Sequence, residues 1–293
     1  MKDATVFKKF SLRRGLALWL LGAVAAISGA VGTGPGAAFA APGGSVAADA
    51  APSAASSAVQ KAIREDIHSL QGSEKESGAA LDRLRARPRA AVVAVVKDDL
   101  TSASEIPPGT LKAVVALDAR ELLPVLKTLC AKSEDWPVFA AVNRLIDPKS
   151  DRAGAEELSV VYLSRLNSLL SAAAKVAVLD GLARFGKPLS RESFAELIDD
   201  SSLEVRIATV RQFLATRGSL EPAEQLARWT ESLKLKPYQA RLLAMEELAR
   251  LPASELGRVK TALKAEQCAK ESEAEVKAAC QAAEKKIERG GKR

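Results

Sequence analysis

Helix starts that recur at near-constant spacing constrain this chain more than any other feature. From residue 88 onward, apolar stripes of helical period alternate with short breaks. The breaks fall at Asp135, Pro148, Gly186-Lys187-Pro188, Gly218, Pro237 and Pro252, residue types that stop or start helices. They predict helices over 89–100, 110–118, 120–132, 136–146, 155–169, 171–185, 190–199, 203–217, 221–234, 237–251, 253–270 and 274–288. Every second helix begins near 136, 171, 203, 237 and 274, at intervals of about 35, 32, 34 and 37 residues. Two-helix units at such a period are the mark of a helical solenoid.

The apolar positions recur within these units. Val176, Leu179 and Ala183 form one stripe; Leu203, Ile207, Val210 and Leu214 form another; Ala244, Leu248 and Leu251 form a third. A single helix pair cannot bury such a stripe, whereas stacked neighbours can. Aromatic residues make up only 4% of the chain, which suits closely packed helices with small core side chains. The run Ala90–Val96 is rich in β-formers, yet in this setting it reads as helix. Further upstream, Val59, Ile63, Ile67 and Leu70 open the helical pattern, and Gly72 to Gly78 reads as a polar break.

Leu197-Ile198-Asp199-Asp200-Ser201-Ser202-Leu203-Glu204-Val205-Arg206-Ile207-Ala208 resembles the turn and second helix of a HEAT repeat, which favours an Asp in the turn and a Val-Arg pair after it. Glu273-Ala274-Glu275-Val276-Lys277-Ala278-Ala279 is a weaker copy, with Lys for Arg. Asp135-Trp136-Pro137-Val138 and Lys236-Pro237-Tyr238-Gln239 keep only the helix start. The resemblance implies an all-α fold, a right-handed α-solenoid of HEAT-like helical hairpins, about five pairs. A TPR-like array has a similar period, but its Trp-Leu-Gly-Tyr pattern is missing. In the HEAT family the second helices line a concave binding side. The resemblance would place Arg184, Arg206, Arg211, Arg241 and Lys277 there, with Arg206 expected to pair with Asp200 inside the stack. Such a mildly basic groove implies a protein partner with acidic segments.

The N-terminus reads as an export signal. Lys8, Lys9, Arg13 and Arg14 precede an apolar stretch from Leu16 to about Val31, Gly32 to Gly36 interrupts it, and Ala38-Phe39-Ala40 is a small-x-small cleavage site before Ala41. A retained anchor would need a longer apolar run. A lipoprotein would need a Cys at the cleavage point, and none precedes Cys130. Ser11-Leu12-Arg13-Arg14-Gly15-Leu16 only loosely matches a twin-arginine signal, which favours the general secretion route. The division expected is signal peptide 1–40, an Ala/Ser/Pro/Gly-rich linker 41–58, N-terminal helices 59–109, a repeat domain 110–288 and a basic tail 289–293. The export signal makes the localisation periplasmic or secreted, with no membrane association after cleavage.

The chain's net charge of +7 is concentrated in that signal. Without residues 1–40, the 43 basic and 36 acidic residues fall to 38 and 35, leaving +3. So balanced a chain argues against nucleic acid as a partner. The basic C-terminal end, from Lys285-Lys286 to Lys292-Arg293, reads as a solvated end.

Familiar chemistry is missing. His68 is the single histidine and sits on a polar-edged helix, so a multi-histidine metal site or a Ser-His-Asp triad is not expected. No Cys-x-x-Cys, P-loop or Gly-x-Gly-x-x-Gly occurs. Asp98-Asp99, Asp199-Asp200 and Glu246-Glu247 are adjacent pairs whose side chains diverge on a helix; Asp199 or Asp200 reads as the cap of the helix starting near Leu203. Catalytic, cofactor and metal residues are therefore none. Cys268 and Cys280 lie at similar heights on either side of the Ser272 turn, which allows a disulfide in an exported protein. Small buried core thiols remain the other reading for these two cysteines, and Cys130 reads as a buried free thiol. The function expected is an exported, non-enzymatic protein-binding or scaffolding module. The alternatives are a HEAT-like enzyme of the bilin-lyase type, for which no nucleophile or acid is present, or a TPR-like adaptor.

Overall fold

A computed structural model describes residues 54–103, 105–260, 263 and 265–290. The signal-peptide assignment, most of the linker and the last three residues of the basic tail lie outside the described residues.

Among the described residues every regular element is a helix. Three come first in the described part: α1 (Ala54–Ser69), α2 (Glu74–Ala86) and α3 (Arg89–Ser102). Then come α4 (Thr110–Ala116), α5 (Leu123–Cys130), α6 (Trp136–Leu145), α7 (Arg152–Arg165) and α8 (Ala172–Arg184). The rest are α9 (Arg191–Ile198), α10 (Leu203–Thr216), α11 (Pro222–Ser232), α12 (Tyr238–Arg250), α13 (Ala253–Val259), α14 (Ala265–Lys270) and α15 (Ala274–Gly290).

Each hairpin packs within itself: α5 with α6, α7 with α8, α9 with α10, α11 with α12, and α13 and α14 with α15. Each second helix also packs on the next, so that α4, α6, α8, α10, α12 and α15 form one continuous row. This is the helical-repeat stack that the spacing of helix starts and the HEAT-like motif imply. Leu179, Val210 and Leu248 lie in the three central second helices and are fully buried. Each such leucine removes apolar area worth about 1.5–3 kcal/mol from water, which explains why the hairpins stack rather than stand alone. Among the described residues most aromatics lie in this core, Trp136 and Tyr238 being exposed. Phe139 and Tyr162 meet edge to face at 5.7 Å between centroids, as do Phe194 with Phe213 at 5.8 Å and Phe213 with Trp229 at 5.2 Å.

The repeats are also tied by polar contacts at equivalent positions. Lys175, the fourth residue of α8, donates to Asp200, three residues ahead of α10, at 2.7 Å. Arg241, the fourth residue of α12, pairs with Glu271, three residues ahead of α15, at 2.9 Å. Further up the stack, Glu134 accepts the backbone N–H groups of Leu170 and Ser171 ahead of α8 at 3.2 and 3.3 Å. Acidic residues in the turns thus hold one repeat to another.

Four local expectations change. Gly72 to Gly78 is not a break: Ser73 opens α2 through a capping box, its hydroxyl accepting from the Glu76 N–H while its own N–H donates to the Glu76 carboxylate at 2.8 Å. Helix α1 starts at Ala54, inside the stretch read as linker, because Ile63, Ile67 and Leu70 give it a face to bury. The single helix expected over 253–270 is two, α13 and α14. The cap of α10 is Ser202, whose hydroxyl accepts from the Val205 N–H; Asp200 instead accepts the Ser202 N–H at 2.8 Å.

The N-terminal helices cover the first end of the stack. Asp66 of α1 is buried between Arg83 and Arg87, at 2.6 and 2.7 Å. Burial alone would raise its pKa, but the Arg87 and Arg83 hydrogen bonds prevail and hold it below the usual carboxylate range. Gly109 precedes α4 with φ 87°, and a Cβ there would lie 2.0 Å from the Ile67 carbonyl oxygen, so only glycine lets the chain pass α1 this closely. At the other end Lys286 donates to the Ala249 carbonyl at 3.1 Å, so this lysine belongs to the packing rather than to a solvated tail.

Candidate functional site

The exposed face of the second-helix row carries an apolar cleft of about 660 Å³ between α6 and α8. Trp136, Ala140, Asn143 and Arg144 line it from α6, at the spacing that puts residues on one face of a helix. Ala172, Ala173, Val176, Ala177 and Asp180 line it from α8, and Glu204 reaches it from the first turn of α10. The alanines make the hollow, since their short side chains leave space between the two helices.

Trp136 begins α6, and Pro137 follows at a position where its missing N–H is harmless. Trp136 is 52% exposed, although an aromatic of that size normally buries much of its area. Asn143 is already committed to the cleft wall. Its Nδ2 donates to the Ala177 carbonyl at 2.7 Å, and its Oδ1 accepts from the Tyr162 hydroxyl at 2.8 Å. Asp180 lies 3.6 Å from Arg211 of α10, with both side chains half exposed. Partial burial raises the pKa of Asp180, and Arg211 pulls it the other way. Glu204 accepts from Ser202 at 2.7 Å.

A second cleft of about 500 Å³ lies on the other side of the α6 start, lined by Glu105, Ile106, Leu111, Lys112, Asp135 and Pro137 among others. Trp136 lines the first cleft, and its sequence neighbours Asp135 and Pro137 line the second.

The basic residues expected on this face divide by position. Arg184 is exposed, and its charge helps hold the Asp147 carboxyl below its usual range, behind the Lys149 N–H and Ser150 hydrogen bonds. Arg211 reaches the first cleft through Asp180. Arg241 does not belong to a partner surface. It is mostly buried, forks onto Glu271 and also donates to the Leu235 and Lys236 carbonyls at 2.6 and 2.7 Å. Lys277 is half-buried. Arg206 is not the hydrogen-bond partner of Asp200, a place taken by Lys175; Arg206 acts on Asp200 only as a nearby charge. Arg206, Arg241 and Lys277 all fall on the fourth residue of their helices, the position that ties one repeat to the next. Ahead of α12 the residue corresponding to Asp200 and Glu271 is Leu235, which has no carboxylate, and Arg206 Nε lacks a hydrogen-bond partner.

Cys268 and Cys280 form a disulfide between α14 and α15, with Cα atoms 5.5 Å apart. Cys130 is buried, and that burial pushes its thiol pKa up to about 12. Among the described residues no group of three or more His, Cys, Asp or Glu is placed to hold a metal ion, and no helix is long and apolar enough to cross a membrane. The cleft itself was not anticipated. Its signal in the sequence is a tryptophan at a helix start, followed by alanines at helical spacing on the next second helix.

No family model matches the chain, and no curated protein matches it. Three of the solved structures similar to it are designed or engineered proteins. One engineered protein shares 16% identity over 77% of this chain and 68% of its own, with a TM-score of 0.46. A second shares 15% over 78% and 97%, with a TM-score of 0.38. A designed armadillo repeat protein, solved in complex with the peptide (KR)4, shares 13% over 78% and 98%, with a TM-score of 0.40. At such scores the functional reading rests on this chain's own surface.

Proposed function

We infer that this chain is an exported, non-enzymatic module that binds another protein through the exposed face of its second-helix row. The observation that carries the reading is the alanine-floored cleft beside half-exposed Trp136. An apolar hollow with a few polar groups at its edge suits a partner's side chains, and a large aromatic at such a place is the type of residue that dominates interface energy. The repeat stack supports this face, because α6 and α8 each pack against second helices on both sides. Export rests on the basic, apolar and small-x-small segments of residues 8–40. A disulfide between Cys268 and Cys280 accords with an oxidising compartment.

Site-specific photo-crosslinking tests the surface. A photoreactive residue replacing Ala140 in the cleft should give one dominant crosslinked product in the native compartment, and Trp136→Ala should abolish it. Replacing exposed Ala153 on α7 should give none. Crosslinks from α7 alone would overturn the reading. Intact-mass measurement of the native protein should show a chain beginning at Ala41, and full-length protein in washed membranes would overturn the export reading.

A further inference from the structure

Carboxylates stand on both sides of Trp136. Glu105 and Asp135 line the smaller cleft, and Asp180 and Glu204 line the larger one. The cations on the same surface are largely committed. Lys112 donates to the Leu70 carbonyl at 2.5 Å, and Arg211 faces Asp180. Arg144 lines the larger cleft. An acidic segment, the partner implied by a basic groove, would therefore meet Glu105, Asp135 and Glu204, with Asp180 already paired to Arg211.

We propose that the occupant is an extended segment of another protein in which an apolar side chain, seated beside Trp136, is flanked by lysine or arginine. The proposal rests on the second-helix face being the binding surface and adds the chemistry of what it takes. The two clefts are lined by residues of α4, α6, α8 and the first turn of α10, so a segment that occupies both crosses these four helices. At helix spacings of 8–10 Å that path is roughly 30 Å long, the reach of about nine residues in extended form. The alanine floor accepts the apolar side chain and excludes water around it. A flanking ammonium or guanidinium can lie over the half-exposed indole, where the ring quadrupole attracts it, and reach Asp135 or Glu105 on the open side. Arg211 already offsets Asp180, so the stronger preference for a cation lies on the Asp135 side. Complementarity of this kind selects among partners and speeds their encounter more than it adds raw affinity.

The full chain and three fluorescein-labelled nine-residue peptides test this by anisotropy. One peptide has a central leucine flanked by lysines, one has glutamates in place of the lysines, and one has serine in place of the leucine. The lysine–leucine peptide should bind about tenfold more tightly than either of the others, a difference of ~1.4 kcal/mol. Trp136→Ala should remove that margin, and Asp135→Asn with Glu105→Gln should weaken the lysine peptide severalfold without changing the glutamate peptide. Circular dichroism melting confirms that the variants remain folded. Equal or tighter binding of the glutamate peptide, still lost in Trp136→Ala, would overturn the charge assignment and leave the binding face intact. Lysine-peptide binding indifferent to both the leucine and Trp136 would show general charge attraction and overturn the proposal. Binding by none of the peptides, together with no crosslinks from Ala140, would overturn the binding face itself.

Discussion

Arg241 of α12 forks onto the Glu271 carboxylate, with Nε at 3.0 Å from one oxygen and Nη2 at 2.9 Å from the other. Both side chains are largely buried, so neither charge has water to return to if the other is removed. Arg241→Ala should destabilise the protein by about 3 kcal/mol, because it leaves an uncompensated buried carboxylate. The pH dependence follows from Glu271, which the Arg241 hydrogen bond holds below the usual carboxylate range. A group whose folded pKa is depressed contributes stability above its unfolded pKa and loses it as pH falls through the folded value. Urea melts should therefore show stability declining below the ordinary carboxylate range, with a smaller decline in Glu271→Gln. An unchanged acid limb in that variant would deny the pair its role.

Leu248 is fully buried at the contact of α12 with its neighbours. Leu248→Ala should cost about 2–5 kcal/mol in chemical denaturation. Arg211→Ala removes only a half-exposed pair with Asp180 and should change stability by less than about 0.5 kcal/mol. Similar costs at both positions would contradict the burial pattern.

Gly181 of α8 lies against the polar tie between repeats. A Cβ there would be 2.5 Å from both Asn143 Oδ1 and Tyr162 Cε2. Asn143 is held at both ends of its amide, so it cannot give way without losing a hydrogen bond. Gly181→Ala should destabilise by about 1–3 kcal/mol, as overpacking does, despite alanine's better helix propensity. A gain in stability would show that the α6–α8 contact yields.

The disulfide closes a short loop, with its cysteines 12 residues apart in sequence. Replacing both cysteines with alanine should cost about 3 kcal/mol and loosen α14 before the rest, as hydrogen exchange would reveal. Cys130 should resist thiol reagents until denaturant exposes it, because it is fully buried and the reactive species is the thiolate. Thiol titration before and after denaturation, without reductant, should read none and then one.

The stack was legible in the sequence because its signals are local and repeated. Ser202 and Leu203 announce a helix start within a few residues, and Leu179, Val210 and Leu248 were placed correctly in the core, whereas Leu203 and Ile207 of the expected stripe are only partly buried. Helix α2 was missed because its capping box sits between Gly72 and Gly78, which suggest a break when read as punctuation. The fate of Arg241 was illegible for a different reason. A helical stripe tells which residues share a face, but the partner of the fourth residue is set by the turn of the next repeat, 30 residues on. The cleft depends on the mutual distance of α6 and α8, which side-chain spacing along one helix does not report.

The row from α4 to α15 has a mechanical consequence. Load applied at the two ends of such a row passes through one interface after another, with no shortcut between distant repeats. The chain should therefore yield under tension in steps, each releasing about one hairpin of contour, rather than in a single rupture. The covalent clip between Cys268 and Cys280 keeps 12 residues of the last hairpin from extending. Its final step would be shorter than the others, and reduction would restore the missing length.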